Sequence, residues 1–348
     1  MKFFSKGAII GIIIVGFLML YRLDSYVMKP GHAYNVSDFI TIQNGDEDDE
    51  GSFSLMTVSL SRATPFTYMI AQFKEYEEIM ELDSVRQEEE DDEEYNVRQL
   101  KLMTDSQFNA SYIAFSKAGL DYSITYKGVF VLNVLTGGAA DGVLKPGDEI
   151  VEIDGERIKQ QAMLVERLNN KAVNDEVKLV VDRNNKLIDK TLTLKEIPDS
   201  DGRIGLGITF TESKSIKTDP KVNVKTEDIG GPSAGLMFTL EMLNQLLDED
   251  LTHGYLIAGT GEMNEAGTVG RIGGIEKKIV AADKDGMEIF FAPDDEITET
   301  MLKYNPNIVS NYEAAVKTAK QLGTSMKVVP VKTIDDALDY LASLQPKN

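Results

Sequence analysis

The sequence predicts an α+β chain with an apolar N-terminal helix. Three observations predict it. From Gly202 onward, β-rich runs alternate with segments of helical period. Between Gly119 and Glu196, short strand-like runs are punctuated by the turns Pro146-Gly147-Asp148 and Asp154-Gly155. Gly7 to Tyr21 is a stretch of 15 residues without a charge.

That uncharged stretch is extended by Phe3-Phe4 and preceded by Lys2 and Lys6. A bilayer needs about 20 apolar residues, so it is just long enough if the lysines snorkel. Tyr21-Arg22-Leu23-Asp24-Ser25-Tyr26 offers no small-x-small cleavage pattern, which favours an uncleaved signal anchor over residues 1–24. Lys2 and Lys6 lie before it and Arg22 and Lys29 after it with Asp24 among them, a slight bias toward an inside N-terminus. The expectation is a single-pass membrane protein with its body outside.

Length and composition bound the rest. At 348 residues the chain accommodates two domains, and 42% hydrophobic residues is ordinary for a globular protein. A net charge of −21 argues against nucleic acid as a partner, since nothing would neutralise phosphates. Part of that charge sits in the runs Asp46–Glu50 and Glu88–Glu94, which lack calcium-loop spacing and read as solvated loops. The absence of cysteine excludes thiol nucleophiles and thiolate zinc sites. No metal or cofactor is expected.

Gly51 to Leu60 alternates and is rich in β-formers, so it reads as a strand. A partly acidic, helical stretch follows to about Ala118. Gly128 to Val134 is a second strand, followed by a turn at Gly137-Gly138 and a short strand between the two turn signals. A helix near Gln160–Asn169 and strands at Val177–Arg183 and Lys190–Leu194 complete this region. Further on, Val222 to Val224, Gly254 to Ala258, Ile289 to Ala292 and Lys327 to Val331 read as strands, and Ile334 to Leu341 as an amphipathic helix.

The chemistry concentrates at Gly231-Pro232-Ser233-Ala234-Gly235. Leu236, Leu240, Leu243 and Leu247 behind it form one face of a helix. The glycines permit a tight backbone turn, and proline suits a first helical turn. A serine at that place has free backbone N–H groups around it and the positive helix end behind it, which suits a developing oxyanion. Its hydroxyl still needs a base. The two histidines, His32 and His253, lie in no recognisable catalytic context, so a lysine is the expected base.

Gly273-Gly274 reads as a turn into a helix. Ile275, Lys278, Ile279 and Ala282 fall at i, i+3, i+4 and i+7, so Lys278 points to the core and Lys277 away from it. Burial disfavours the charged amine and lowers its pKa. A neutral amine can take a serine proton near neutral pH. A lone lysine on an apolar face more often snorkels to water, but its pairing with the Gly-Pro-Ser-Ala-Gly turn favours the catalytic role.

These residues resemble the Lon-type Ser–Lys peptidases. The blocks are Gly231 to Gly235, Thr260-Gly261-Glu262, and Gly273-Gly274 through Lys278 to Ala281-Ala282, in the family's order. The resemblance implies Ser233 as nucleophile, Lys278 as general base and Thr260 as support for the lysine, with Gly231 and Ala234 shaping the turn. Lon proteases carry an acidic residue three positions before the serine; this chain has Gly230. No Gly-x-x-x-x-Gly-Lys-Ser/Thr loop occurs, so no ATPase module is expected. The order of elements from Gly119 to Glu196 resembles a PDZ domain, which binds an extended peptide as an added strand. That resemblance implies peptide binding at Lys127, Gly128, Val129 and Phe130, against the Gln160–Asn169 helix.

Together the chain is similar to membrane-anchored PDZ–Lon peptidases of Gram-positive bacteria. The implied organisation is a tip and anchor at 1–24, the opening part of the peptidase domain at 35–118, an inserted PDZ domain at 119–200, and the catalytic part at 201–345. The implied function is an ATP-independent, extracytoplasmic serine endopeptidase acting on peptides or unfolded protein, and the family's habit implies homo-oligomers. The competing reading is a catalytically inactive, membrane-tethered peptide-binding scaffold. A trypsin-like PDZ protease is excluded, since it needs a histidine base and a Gly-Asp-Ser-Gly nucleophile.

Overall fold

The computed structural model describes residues 6–46, 50–87, 90–198, 200, 202–226 and 229–347. Phe3-Phe4, Lys2 and parts of both acidic runs lie outside the described residues. The chain divides into two units: Met1–Gln87 with Val222–Lys225 and Pro232–Asn348, and Glu88–Lys221 with Thr226–Gly231.

The first unit is built on a six-stranded sheet. Its order is Lys327–Val331, Ile289–Pro293, Leu256–Gly259, Ser52–Arg62, Ser25–Asn35 and Glu78–Glu81. The first four strands run parallel and the last two join antiparallel. Parallel strands need long crossovers, and the chain supplies helices. Ile275–Lys284 connects Leu256–Gly259 to Ile289–Pro293, and Asn311–Leu322 leads on to Lys327–Val331. Ile289, Phe290, Phe291 and Ala292 are all buried, as expected of a strand covered on both faces. Alternation divides the faces. Ala258 joins Ile275, Ile279, Ala282, Phe290 and Ala315 in one core cluster. The next residue, Gly259, faces Met237 on the helix Gly235–Leu246.

That helix is buried from Gly235 to Gln245 on every side, beyond the single leucine face expected from sequence. Leu247 is the residue after it and is partly exposed. A small ladder pairs Ile40–Ile42 with Val222–Val224. Near the N-terminus, Lys6–Leu20 is a helix of 15 residues. At about 1.5 Å per residue this described stretch is about 22 Å long. Among the described residues no helix is long and apolar enough to cross a membrane. The described part of the expected anchor, Lys6–Leu20, is an apolar helix.

The second unit holds an antiparallel sheet ordered Ile208–Asp219, Asp121–Val134, Glu149–Ile153, Glu176–Asp182 and Leu187–Thr193, with Glu156–Arg157 folding back on the third strand. Val129, Val131, Ile150, Leu164, Leu179 and Leu206 lie in its core. The helix Gln161–Asn169 contributes Leu164. The 27-residue helix Asp92–Ala118 groups with this unit. Asp91 and Glu94 form a capping box at its start, and Gly119 ends it at φ +66°, a left-handed conformation that glycine adopts freely. The strand Ile208–Asp219, beyond residue 200, completes the sheet at one edge.

Candidate active site

Ser233 sits in the turn before Gly235–Leu246, at the positive end of that helix. Gly231 holds φ +89°, a conformation that a β-carbon would strain, and it turns the chain into Pro232-Ser233. The Gly231 N–H donates to the Gln99 carbonyl at 2.9 Å. A β-carbon on Gly230 would stand 2.9 Å from Gln99 Cβ, so the acidic residue of the Lon pattern has no room at this position. The departure is thus matched by local packing. Ala234 is buried, and Ser233 is only partly so.

Lys278 lies on Ile275–Lys284, one turn from its start at Gly274. It is 2% exposed. Its Nζ is 2.8 Å from Ser233 Oγ and 2.8 Å from Thr260 Oγ1. Desolvation pulls its pKa from the ordinary lysine value down to about 7. Thr260, which is fully buried, follows the strand Leu256–Gly259, and its N–H donates to Phe291 O at 3.1 Å. Its hydroxyl donates to Ser233 O at 3.0 Å. With that proton committed, Thr260 Oγ1 accepts from the amine. The neutral amine then turns its lone pair to the Ser233 hydroxyl. Thr260 therefore sets the direction of the base as well as touching it.

Two more bonds tie the nucleophile turn to the threonine turn. Gly261 N–H donates to Ser233 O at 2.9 Å, and Leu236 N–H donates to Gly261 O at 3.1 Å. The glycine at 261 is required by space, since a β-carbon would fall 2.4 Å from Val269 Cγ1. The N–H groups of Ser233 and Ala234 have no hydrogen-bond partner among the described residues. They are the donors available to an oxyanion.

Lys277, off the apolar face, is 8% exposed, and its ammonium pairs with Glu78 on the edge strand Glu78–Glu81. The helix repeat alone carries no sign of this, because the partner lies 199 positions earlier in the chain.

The expected peptide-binding stretch also finds a different setting. Val129 pairs with Glu212 on one side and Ile150 on the other; Phe130 pairs with Thr211 and Glu149. Lys127 and Gly128 precede them in the same strand, and Gly128 faces Ser213. Val129 and Phe130 are thus paired on both sides and offer no free edge to a further strand, which speaks against the placement made from sequence at these two residues. Among the described residues the sheet ends in Ile208–Asp219 on the side of this strand and in Leu187–Thr193 on the other. Ile208–Asp219 is entered through Ile204-Gly205-Leu206-Gly207, with Gly207 at φ +71°. Ile204–Gly205 packs against the helix Gln161–Asn169. The signal was in the sequence as two glycines before a strand, Gly205 and Gly207.

Comparison with known proteins gives two family matches. Residues 113–194 match the PDZ domain, and residues 220–342 match the Lon protease (S16) C-terminal proteolytic domain. The Lon protease of Neorickettsia sennetsu is 26% identical over 144 residues, 41% of this chain and 15% of that protein. The Lon protease of Campylobacter concisus is 34% identical over 108 residues, 31% of this chain and 11% of that protein. The alignments thus span less than a fifth of these relatives' lengths. The PDZ domain of the SdrC-like protein from Listeria monocytogenes is 35% identical, covering 25% of this chain and 92% of that chain at a TM-score of 0.24. The chain therefore carries a PDZ domain and a Lon-type proteolytic domain, and Ser233, Thr260 and Lys278 all lie in the latter, which supports a serine endopeptidase.

Proposed function

We propose that this chain is an ATP-independent serine endopeptidase of Ser–Lys type, held at a membrane with its catalytic part outside the cytoplasm. One observation carries the reading: a desolvated amine within 2.8 Å of a hydroxyl at a helix start. Ser233 Oγ attacks the peptide carbonyl carbon while Lys278 Nζ takes the hydroxyl proton. The oxyanion is held by the Ser233 and Ala234 N–H groups. Lys278 then gives its proton to the leaving amine, and an acyl-enzyme remains. Water attacks the ester, again losing a proton to Lys278, and Ser233 is restored.

The apolar helix Lys6–Leu20 supports the tether. A PDZ domain supports recruitment of extended peptide segments, and Ile208–Asp219 is the strand edge such a segment would join. Substrates in this reading are small secreted peptides or the unstructured tails of membrane proteins. The test is cleavage of peptide pools by the purified protein and by Ser233→Ala and Lys278→Ala. Each substitution is expected to lower turnover by about 10³-fold or more. Cleavage equal to that of the unaltered protein in both variants refutes the assignment.

A further inference from the structure

We infer that the short helix Pro65–Ala71 and the adjoining Phe73 lie in the headgroup boundary of a lipid bilayer, so that the peptidase-bearing unit rests on the membrane surface. The inference rests on the membrane tether proposed above.

The helix Pro65–Ala71 packs against Lys6–Leu20. The join between them is fixed rather than slack. Leu23 N–H donates to Ala63 O at 2.8 Å, and Leu23 packs on the buried cluster of Val27, Ala63 and Ala71. A bilayer that takes up Lys6–Leu20 therefore brings Pro65–Phe73 to its surface. Two apolar side chains are presented outward, Met69 at 52% and Phe73 at 85% exposure, beside the exposed Gln72, Lys74 and Glu75. Phe66, Met69 and Phe73 fall at i, i+3 and i+7, which lie along one stripe of a helical turn and its continuation.

Two observations select lipid as the occupant. From Gly7 to Leu20 the sequence has no charged or hydrogen-bonding side chain, and its described isoleucines at 10, 12, 13 and 14 are exposed. A helix without a polar face fits hydrocarbon, whereas one resting in the groove of a protein partner keeps a wet side. Aromatic side chains are also favoured at the bilayer interface. Tyr21, stacked on Phe17, and Phe73 are aromatics at that end.

The sequence contains no tryptophan, so one introduced residue is an unambiguous probe. Phe73→Trp in the full chain, reconstituted in phosphatidylcholine vesicles, is expected to emit blue-shifted and to lose intensity when the lipids are brominated high in the acyl chain. Tyr304→Trp, equally exposed on Glu299–Tyr304, is expected to do neither. Emission at the aqueous position with quenching by acrylamide, in protein that floats with the vesicles, overturns this inference and leaves the tether standing. Failure to float overturns both. A blue shift without bromolipid quenching assigns the patch to a protein contact and likewise overturns it.

Discussion

Thr260 donates its hydroxyl proton to the carbonyl oxygen of Ser233 at 3.0 Å, and this one bond decides how the neighbouring amine is aimed. A hydroxyl whose proton is spent can only accept from Lys278. Thr260→Val keeps the shape and removes both bonds. The expected loss in kcat is roughly ten- to hundredfold, the worth of one or two buried hydrogen bonds. Thr260→Ser is expected to recover most of it. Equal activity in the valine and unaltered proteins would show that the amine needs no such guide.

Activity should rise with pH through about 7, where Lys278 passes from ammonium to amine, and level above it. The measurement is kcat/KM against pH. Lys278→Arg, whose guanidinium stays protonated, is expected to be inactive across the range. A profile without an inflection near neutrality removes the buried amine from the mechanism.

The same burial affects stability. Below about 7 the amine is protonated in both folded and unfolded states, and its desolvation cost is present in full. Between that value and about 10.4, the unfolded chain binds one proton more, so stability gains about 1.4 kcal/mol per pH unit from this group. Above both values the cost is gone. Lys278→Met lacks this dependence. Chemical denaturation at pH 7, 8 and 9 is expected to show the unaltered protein gaining on the methionine variant, whatever the fixed offset between them. Parallel curves contradict it.

Gly261→Ala should lower stability by about 1–3 kcal/mol, the usual penalty of overpacking, because its β-carbon would meet Val269. Activity should fall with it, since Gly261 N–H is bonded to Ser233 O. Adding Val269→Ala is expected to restore part of both, a coupling that a double-mutant cycle reads directly. Strict additivity would place the strain elsewhere.

Hydrogen exchange with and without a bound peptide locates the recognition edge. Added protection is expected along Ile208–Asp219, which ends the sheet on one side among the described residues, and little change at Val129 and Phe130, which are paired on both sides. The opposite pattern would return the groove to Lys127–Phe130.

The dyad was legible because its evidence is local. A helical repeat through Ile275, Lys278, Ile279 and Ala282 shows that the lysine is buried, and a Gly-Pro-Ser-Ala-Gly turn shows where a hydroxyl is presented. What pairs with a residue far along the chain left no such mark. Lys277 reads only as lying off the apolar face, with no sign of its pairing with Glu78. Gly128 to Val134 reads correctly as a strand, but whether a strand is interior or at an edge depends on its partners, not on its own alternation. Ile208–Asp219 supplied the missing partner. The apolar N-terminal run was equally plain, and its described part, Lys6–Leu20, is a helix.

Gly235–Leu246 is enclosed by other side chains around its whole circumference. Interiors packed at that density deform little, so rotating or sliding the segment would mean dismantling the centre of its unit. The turn that carries Ser233 is joined directly to this fixed helix. Restraint on such a protease falls to whatever governs arrival of the scissile bond, and an inhibitor would do better to block the approach than to pull the pair apart.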